Sequence, residues 1–326
     1  ADMKLTTFTI KGEQRLGTMA GNNKIVVDLA TAEKLAARRE KRSANAFYTD
    51  MLTFLKAGAK AMAAARKLTK TVDEGLGEEP KADSKSTHYL TKVRLRAPVP
   101  NPAKLFCLAG NYQDHIEEGG GRITAQDRET PRVFMKPPTT TVIGQDDNIL
   151  IPPIARAIDW EGELAVVIGR KGKAIAAKDA LKHIAGYTIM NDVSERQLQI
   201  KKRSSNRPKD EWFDWLNGKW LDTAAPQGPW IVTTDEIKNP QDLDISTFVN
   251  GSRKQHNNTG QMLYYVADIV EYISAIITLE PGDIISTGTI SGVGATTGTF
   301  LKAGDRVEIE ISKIGVLKNN VAASKK

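Results

Sequence analysis

The sequence predicts a strand-rich α+β fold, and three observations carry that reading. From Ala103 onward short β-like runs are divided by Gly and Pro turns: FCLAGNY, RVFMKPP, NILIPP, ELAVVIG, GYTIMND, GPWIVT, DISTFVNG, DIISTGT and RVEIEIS. Few helical patterns interrupt them, which argues for an α+β or β-sandwich-like domain over an alternating βαβ fold. Third, the Gly-rich tract GTISGVGATTG (288–298) fails the dinucleotide fingerprint, because no long helix and no suitably spaced acidic residue follow it.

In chain order, residues 4–10 (KLTTFTI) and 24–28 (KIVVD) read as strands joined by a turn region at Gly17–Asn23. Ala30–Ala44 and Phe47–Leu68 follow as helices, the second repeating Met51, Leu52, Leu55, Ala59 and Met62 at helical spacing. The polar stretch Asp73–Ser86 resembles a linker or mobile loop, and Arg94–Pro102 marks entry into a second unit. The expected organisation is a small N-terminal α+β domain at 1–95 and a strand-rich domain at 96–326. A chain of 326 residues with 40% hydrophobic content can bury a core of that size.

Bulk properties narrow the classes of function. The longest apolar runs, such as Tyr272–Leu279, fall well short of the roughly 20 residues that a membrane helix needs, so no membrane partner is expected. The single Cys107 reads as a small buried hydrophobe and fits a reducing compartment. With no charged-then-apolar signal pattern at the start, a cytoplasmic location is expected. The formal charge is +7, but basic clusters such as Lys201, Lys202, Arg203, Arg207 and Lys209 lack the aromatic interleaving of nucleic-acid modules. A small anionic partner suits them better than nucleic acid.

The most informative residues are Glu161 and Glu163 in DWEGELAVVIG and Asp192 in GYTIMNDVSERQLQ. On a strand, residues i and i+2 share a face, so Glu161 and Glu163 converge while Leu164–Ile168 buries the rest. An isolated ExE is most often a solvated strand end. Asp192 ends a second apolar run, Ile184–Met190, and three carboxylates at strand ends call for a counter-charge. With oxygen ligands only, that charge is expected to be Mg²⁺ or Mn²⁺, with Ca²⁺ next, and not zinc.

Two further constellations carry chemistry. In GNYQDHIEEGGG, His115 and Glu118 stand three apart, so a helical turn puts them within hydrogen-bonding reach as a general-base unit. Gly119–Gly121 would let that turn move as a lid. After Asp192, Ser194 and Gln197 look like a capping box, so Arg196 and Gln199 would project donors from a first helical turn toward a developing oxyanion. Taken singly, a helical His beside a Glu, an Arg with a Gln, and Lys219 in NGKWLDTAAPQGPW are ordinary surface residues.

Together, the ordered motifs GNYxxHxxE, FxKP, ExELAVVIG, GYTxxNDxSxRxxQ, GKxxDTxAPxGPW, VNG, LEPGDIISTGT and GVG resemble the fumarylacetoacetate hydrolase family over 96–321. The opening KLTTF…GTMAGNNKIVVDL is similar to the small N-terminal domain of its bacterial members. The resemblance implies a mixed β-roll catalytic domain, a homodimer, and Mg²⁺ or Mn²⁺ held by Glu161, Glu163 and Asp192. It further implies His115 and Glu118 as the water-activating or proton-moving dyad, and Arg196, Gln199 and Lys219 as groups that polarise substrate oxygens. Thr289 and the backbone of Gly288 would meet a substrate carboxylate, with Lys136 in FMKPP as a further anion contact.

The implied chemistry is stabilisation of an enolate of a 1,3-dicarbonyl or 2-oxo acid by a divalent cation. The first expectation is C–C bond hydrolysis of a fumarylacetoacetate- or acylpyruvate-like substrate. The alternatives are a 2-hydroxyhepta-2,4-diene-1,7-dioate isomerase, an oxaloacetate-type decarboxylase, and a non-catalytic, metal-stabilised binding protein. Three departures from the family pattern stand out. Glu195 replaces a common Ala beside the oxyanion donors, Ile290 and Ser291 replace a frequent Pro and Ala, and 200–217 is longer than usual. Trp212 and Trp215 in that long link suggest a flap closing over substrate.

Overall fold

The computed structural model describes residues 3–83 and 85–325; residues 1, 2 and 326, at the ends of the two expected domains, and Ser84 in the polar stretch lie outside it. The chain opens with β1 (Lys4–Ile10), β2 (Glu13–Ala20) and β3 (Ile25–Asp28), then α1 (Leu29–Arg39), α2 (Met51–Lys56) and α3 (Gly58–Leu76). Much of the expected turn at Gly17–Asn23 is therefore strand. Gly17–Ala20 pairs with β3, and the reversal is confined to the few residues after it. Asp28 and Asp50 cap α1 and α2 by accepting the backbone N–H of Thr31 and Thr53. The expected Phe47–Leu68 helix is two helices, because Gly58 adopts φ +65 at the junction. Helix α3 runs on to Leu76, into what read as linker, and Asp83 then closes a turn by accepting the N–H of Ser86 and Thr87.

Next come β4 (Thr87–Tyr89), β5 (Arg94–Leu95), β6 (Leu105–Ala109), α4 (Gln113–Glu118), β7 (Arg132–Met135), α5 (Pro138–Thr141), β8 (Val142–Ile143) and β9 (Ile149–Ile151). The central part is β10 (Ile158–Asp159), β11 (Gly162–Ile168), α6 (Ala177–Ala180), β12 (Ile184–Asn191), β13 (Ser194–Glu195), α7 (Asp210–Asn217) and β14 (Ala225–Thr233). The chain ends with β15 (Asp244–Val249), β16 (Ser252–Asn258), α8 (Val266–Ile276), β17 (Ile284–Ser286), β18 (Arg306–Ile311) and β19 (Gly315–Ala323).

Among the described residues these strands form a large mixed sheet, ordered β4-β3-β2-β1-β14-β12-β11-β17-β6-β7, with β5 on β1 and β8 on β14. A second sheet, β16-β15-β18-β19-β9, lies against it, and β10 pairs with β13 as a short ribbon. The fold is the strand-rich α+β class that the sequence predicts.

Strand alternation sorts the core into two layers. Leu164, Val166 and Ile168 of β11 join Ile245, Ile309 and Leu317 of the smaller sheet. Ala165 and Val167 join Leu29, Met51, Phe54, Ala61 and Leu68 of the N-terminal helices. Each large side chain buried this way contributes about 1.5–3 kcal/mol. With both faces covered, β11 and β12 are rigid rods, and their shared end is where charge collects. We propose the boundary at residue 95 as a functional division. Strand β1 carries the large sheet into the first 95 residues through β14, while every expected site residue lies beyond them.

No helix among the described residues is long and apolar enough to cross a membrane.

Candidate active site

Antiparallel pairing of β11 with β12 brings Gly162 opposite Asn191, so Glu161 and Glu163 meet Asp192 at one sheet end. The Asp192 N–H donates to the Glu161 carbonyl at 2.9 Å, and Asn191 Oδ1 accepts the Glu161 N–H at 2.9 Å. Carboxylate oxygens of Glu161, Glu163 and Asp192 lie within 4.8 Å of one another, and all three residues are buried.

Three cations surround them. Lys219 Nζ donates to Glu161 Oε2 at 2.8 Å and Asp192 Oδ2 at 2.9 Å, while Phe134 and Trp215 place ring faces 5.3 and 5.4 Å away. Burial alone would favour the neutral amine, but Asp192 and Glu161 outweigh it and raise the Lys219 pKa above the usual lysine value. Arg196 spans Asp159 Oδ2 (2.9 Å) and Glu161 Oε1 (2.6 Å). Lys136 is fully buried and donates to Asp192 Oδ1 at 2.6 Å and to the Val193 carbonyl at 2.9 Å.

The carboxylates are unequal. Burial works against the charge on Glu161, yet Lys219 and Arg196 prevail and hold its pKa below the ordinary range. Burial, then Asp192 and Glu161, push Glu163 well above that range. Glu163 Oε2 accepts from Ser286 Oγ and from Gly288 N at 2.9 Å, whereas its buried Oε1 has no hydrogen-bond partner. A crowded, desolvated carboxylate with a vacant oxygen, beside two more carboxylates, fits a hard divalent cation.

The dyad forms as expected. Helix α4 brings His115 Nδ1 to 2.7 Å from Glu118 Oε1, and His115 is close enough to Glu161 to enter the field that lowers its pKa. A carboxylate accepting from Nδ1–H leaves Nε2 as the basic nitrogen. Glu118 Oε2 accepts the Gly292 N–H at 2.7 Å, which ties the dyad to the loop after β17.

Several expectations are corrected. No helix follows Asp192: Ser194 and Glu195 pair with β10 as β13, and the chain then turns. Arg196 still reaches the triad, but Gln199 is exposed beyond the turn and is not gathered with the other site residues. Lys136, expected as a substrate anion contact, faces Asp192 from within the core. Thr289 and Gly288 do lie beside the triad, with their donors engaged: Thr289 Oγ1 bonds the Gly162 carbonyl at 2.9 Å, and Gly288 N bonds Glu163. Glu195 adds no free charge near Arg196. Its carboxylate accepts the N–H of Arg156, Ala157 and Gln197 at 2.7–3.1 Å. The 200–217 link contains α7, whose Trp212 and Phe213 are exposed while Trp215 packs on Phe134 beside Lys219.

Other contributors were not singled out in the sequence. Asp159 accepts from Arg196 and from the N–H of Trp160, Gly294 and Ala295; it lies two before Glu161, so the same alternation pointed to it. Gln255 accepts the Gly162 N–H at 3.0 Å and donates to Thr289 Oγ1 and the Ile290 carbonyl, yet no spacing rule links residues 93 apart.

Comparisons with known proteins identify the family. Residues 104–322 match the model of the fumarylacetoacetate (FAA) hydrolase C-terminal family. The chain is 36% identical over 324 residues to the oxaloacetate tautomerase YisK of Bacillus subtilis, covering 98% of this chain and 100% of that protein. It is equally 36% identical over 324 residues to the mitochondrial oxaloacetate tautomerase FAHD2B of Bos taurus, covering 98% and 92%. Among solved structures, the fumarylacetoacetate hydrolase of Exiguobacterium antarcticum superposes with a TM-score of 0.74 at 30% identity, covering 99% of this chain and 100% of that one. The 2-hydroxyhepta-2,4-diene-1,7-dioate isomerase of Mycobacterium marinum gives 0.69 at 29% identity, with the same coverage.

Proposed function

The chain belongs to the fumarylacetoacetate hydrolase family, and on that premise we propose that it is an enol–keto tautomerase of a small 2-oxo dicarboxylic acid such as oxaloacetate. This reading replaces C–C hydrolysis, the first expectation from the sequence, with proton movement, which was among its alternatives. The two sequence relatives at 36% identity, aligned over 92% and 100% of their length, bear tautomerase names. The observation that carries the proposal is the 2.7 Å His115–Glu118 contact, with His115 in electrostatic range of Glu161.

A tautomerase needs one group that takes and returns a proton, and a site that tolerates negative charge on the 2-oxo oxygen. In the keto-to-enol direction, His115 Nε2 takes the C3 proton, the C2–C3 bond gains double-bond character, and the electron pair moves onto the C2 oxygen. The imidazolium then returns that proton to the C2 oxygen, which completes the enol and restores the neutral His115, so no water is consumed and no fragment leaves. Glu118 fixes the Nδ1–H tautomer and stabilises the imidazolium while it holds the proton. Glu161, Glu163 and Asp192 would hold Mg²⁺ or Mn²⁺, which when bound supplies Lewis acidity toward the substrate's oxygens. Lys219 and Lys136 orient Glu161 and Asp192, and Arg196 adds a guanidinium beside Glu161 for an anionic substrate.

The test follows the ultraviolet decay of enol-oxaloacetate with Mg²⁺ at low buffer concentration, while total oxaloacetate and pyruvate are measured enzymatically. We expect faster enol loss with oxaloacetate conserved, and a fall of about 10²–10⁴-fold in His115→Ala, the usual contribution of a positioned base. Pyruvate release would favour the decarboxylase alternative. Faster cleavage of acylpyruvates than tautomerisation would return the assignment to hydrolysis.

A further inference from the structure

Helix α4 carries the dyad, but little in its own sequence holds it in place. It has six residues, none of them buried and none capped by a preceding side chain, and it ends at Gly119–Gly121. So short a helix does not persist by hydrogen bonding alone. Clefts flank it on both sides: one of about 480 Å³ bordered by Gln113, Asp114, Glu117 and Asn257, and one of about 520 Å³ bordered by Gly110, Ile116 and Gly121. Packing therefore leaves it room to move.

Its polar anchors are specific. Asp114 Oδ1 accepts the His115 N–H at 2.8 Å. Asp114 Oδ2 accepts from Asn257 Nδ2 at 2.7 Å, Ser291 Oγ at 2.8 Å and Ser291 N at 3.3 Å. The next residue, Gly292, binds Glu118, and it could not be another amino acid: with φ +102, a Cβ there would lie 1.9 Å from the Lys254 carbonyl.

Asn257 and Gln255 lie two apart on β16, so they project from one face of the same strand. Gln255 anchors Gly162, the residue between the two triad glutamates, the Thr289 hydroxyl and the Ile290 carbonyl; Asn257 anchors Asp114, the residue before His115. One strand thus registers both halves of the site.

We propose that Asp114, held by Asn257 and Ser291, is the positioning residue that seats the His115–Glu118 dyad over the carboxylate triad, with β16 setting the distance between them. Asp114 touches neither the reacting atoms nor the triad; it acts through His115. The inference rests on the tautomerase reading for its kinetic consequence and stands on the contacts alone for its structural one.

The experiment uses the full chain loaded with Mg²⁺ and compares wild type with Asp114→Ala, Asp114→Asn and Asn257→Ala. Hydrogen exchange is read over residues 113–121 and over β11 and β12. For Asp114→Ala we expect exchange in 113–121 to rise at least about 10-fold, with the two strands unchanged. For the same variant kcat for enol-oxaloacetate should fall roughly 10–100-fold with KM within about threefold, because a small displacement of the base affects the proton transfer rather than substrate binding. Asn257→Ala should fall between, and Asp114→Asn, which keeps one acceptor oxygen and turns an NH₂ group toward donors on the other side, should recover only part of the loss. Unchanged exchange in 113–121, or a raised KM with kcat intact, would overturn the proposal. If wild type shows no tautomerase activity, the function assignment fails by itself, and the exchange result alone upholds or overturns the seat.

Discussion

Two groups of buried acids lie close together and are held in opposite ways. Asp159 and Glu195, on the β10–β13 ribbon, are saturated by backbone N–H groups of residues 156, 157, 160, 197, 294 and 295, with Arg196 added on Asp159. Glu161, Glu163 and Asp192, at the end of β11 and β12, are served mainly by side chains: three cations, two serines and one amide, with Glu163 Oε1 left over. Backbone donors are fixed and fold a loop around a carboxylate. Cationic side chains balance charge and leave lone pairs directed into a site. Burial by itself thus does not distinguish a structural acid from a ligand; the identity of the donors does.

The largest expected effect tests the side-chain-served group. Lys136→Met removes a fully buried ammonium from Asp192, and breaking such a pair should destabilise the metal-free protein by about 3–5 kcal/mol in urea unfolding. Part of that loss should return with saturating Mg²⁺, because a bound cation replaces the missing charge. If Mg²⁺ restores nothing, the triad is an ion-pair network and the distinction between the two groups collapses.

Next comes Glu163→Gln. It removes the crowded charge and places an amide N–H where Oε1 lacks a partner, so the chelator-treated protein should gain about 1–3 kcal/mol. Mg²⁺ affinity should drop on the order of 100-fold or more in calorimetric titration, at or beyond the range seen for residues that only support ligands. A variant that gains as much thermal stability from Mg²⁺ as wild type does would remove Glu163 from the ligand set.

Much of this site was legible because its rules are local. Period-two alternation placed Glu161 with Glu163, and helical spacing placed His115 with Glu118. Failures came where a distant partner overrode a local signal. Ser194 and Gln197 have the spacing of a capping box, but Ser194 and Glu195 find a strand partner at Ile158 and Asp159, and pairing prevails over capping. The FMKPP motif carries no depth, so only the fold shows that Lys136 lies against Asp192. Gln255 and Asn257 were invisible because their partners are 93 and 143 residues away. The fold class needed none of this, since turns and apolar runs already specify it, although that reading has no strand at β2 and assigns Gly17–Asn23 to a turn.

The smallest expected effect is the sharpest contrast: Glu195→Gln, the same chemical change as at Glu163. Here both oxygens are acceptors, Oε1 for Ala157 and Gln197 and Oε2 for Arg156 and Ala157. A glutamine can offer one oxygen only, and its NH₂ group must face N–H donors on the other side. One partly buried donor, the N–H of Arg156 or of Gln197, loses its acceptor, which costs about 1–2 kcal/mol, within the range for such a loss. Chelator-treated Glu195→Gln should therefore unfold at lower urea than wild type, where Glu163→Gln unfolds at higher urea, and its gain from Mg²⁺ should equal that of wild type. Opposite signs for one substitution at two buried glutamates would show that the donors around an acid decide its role. Equal signs would mean that burial dominates in both places, and the ligand assignment of Glu163 would then rest on proximity alone.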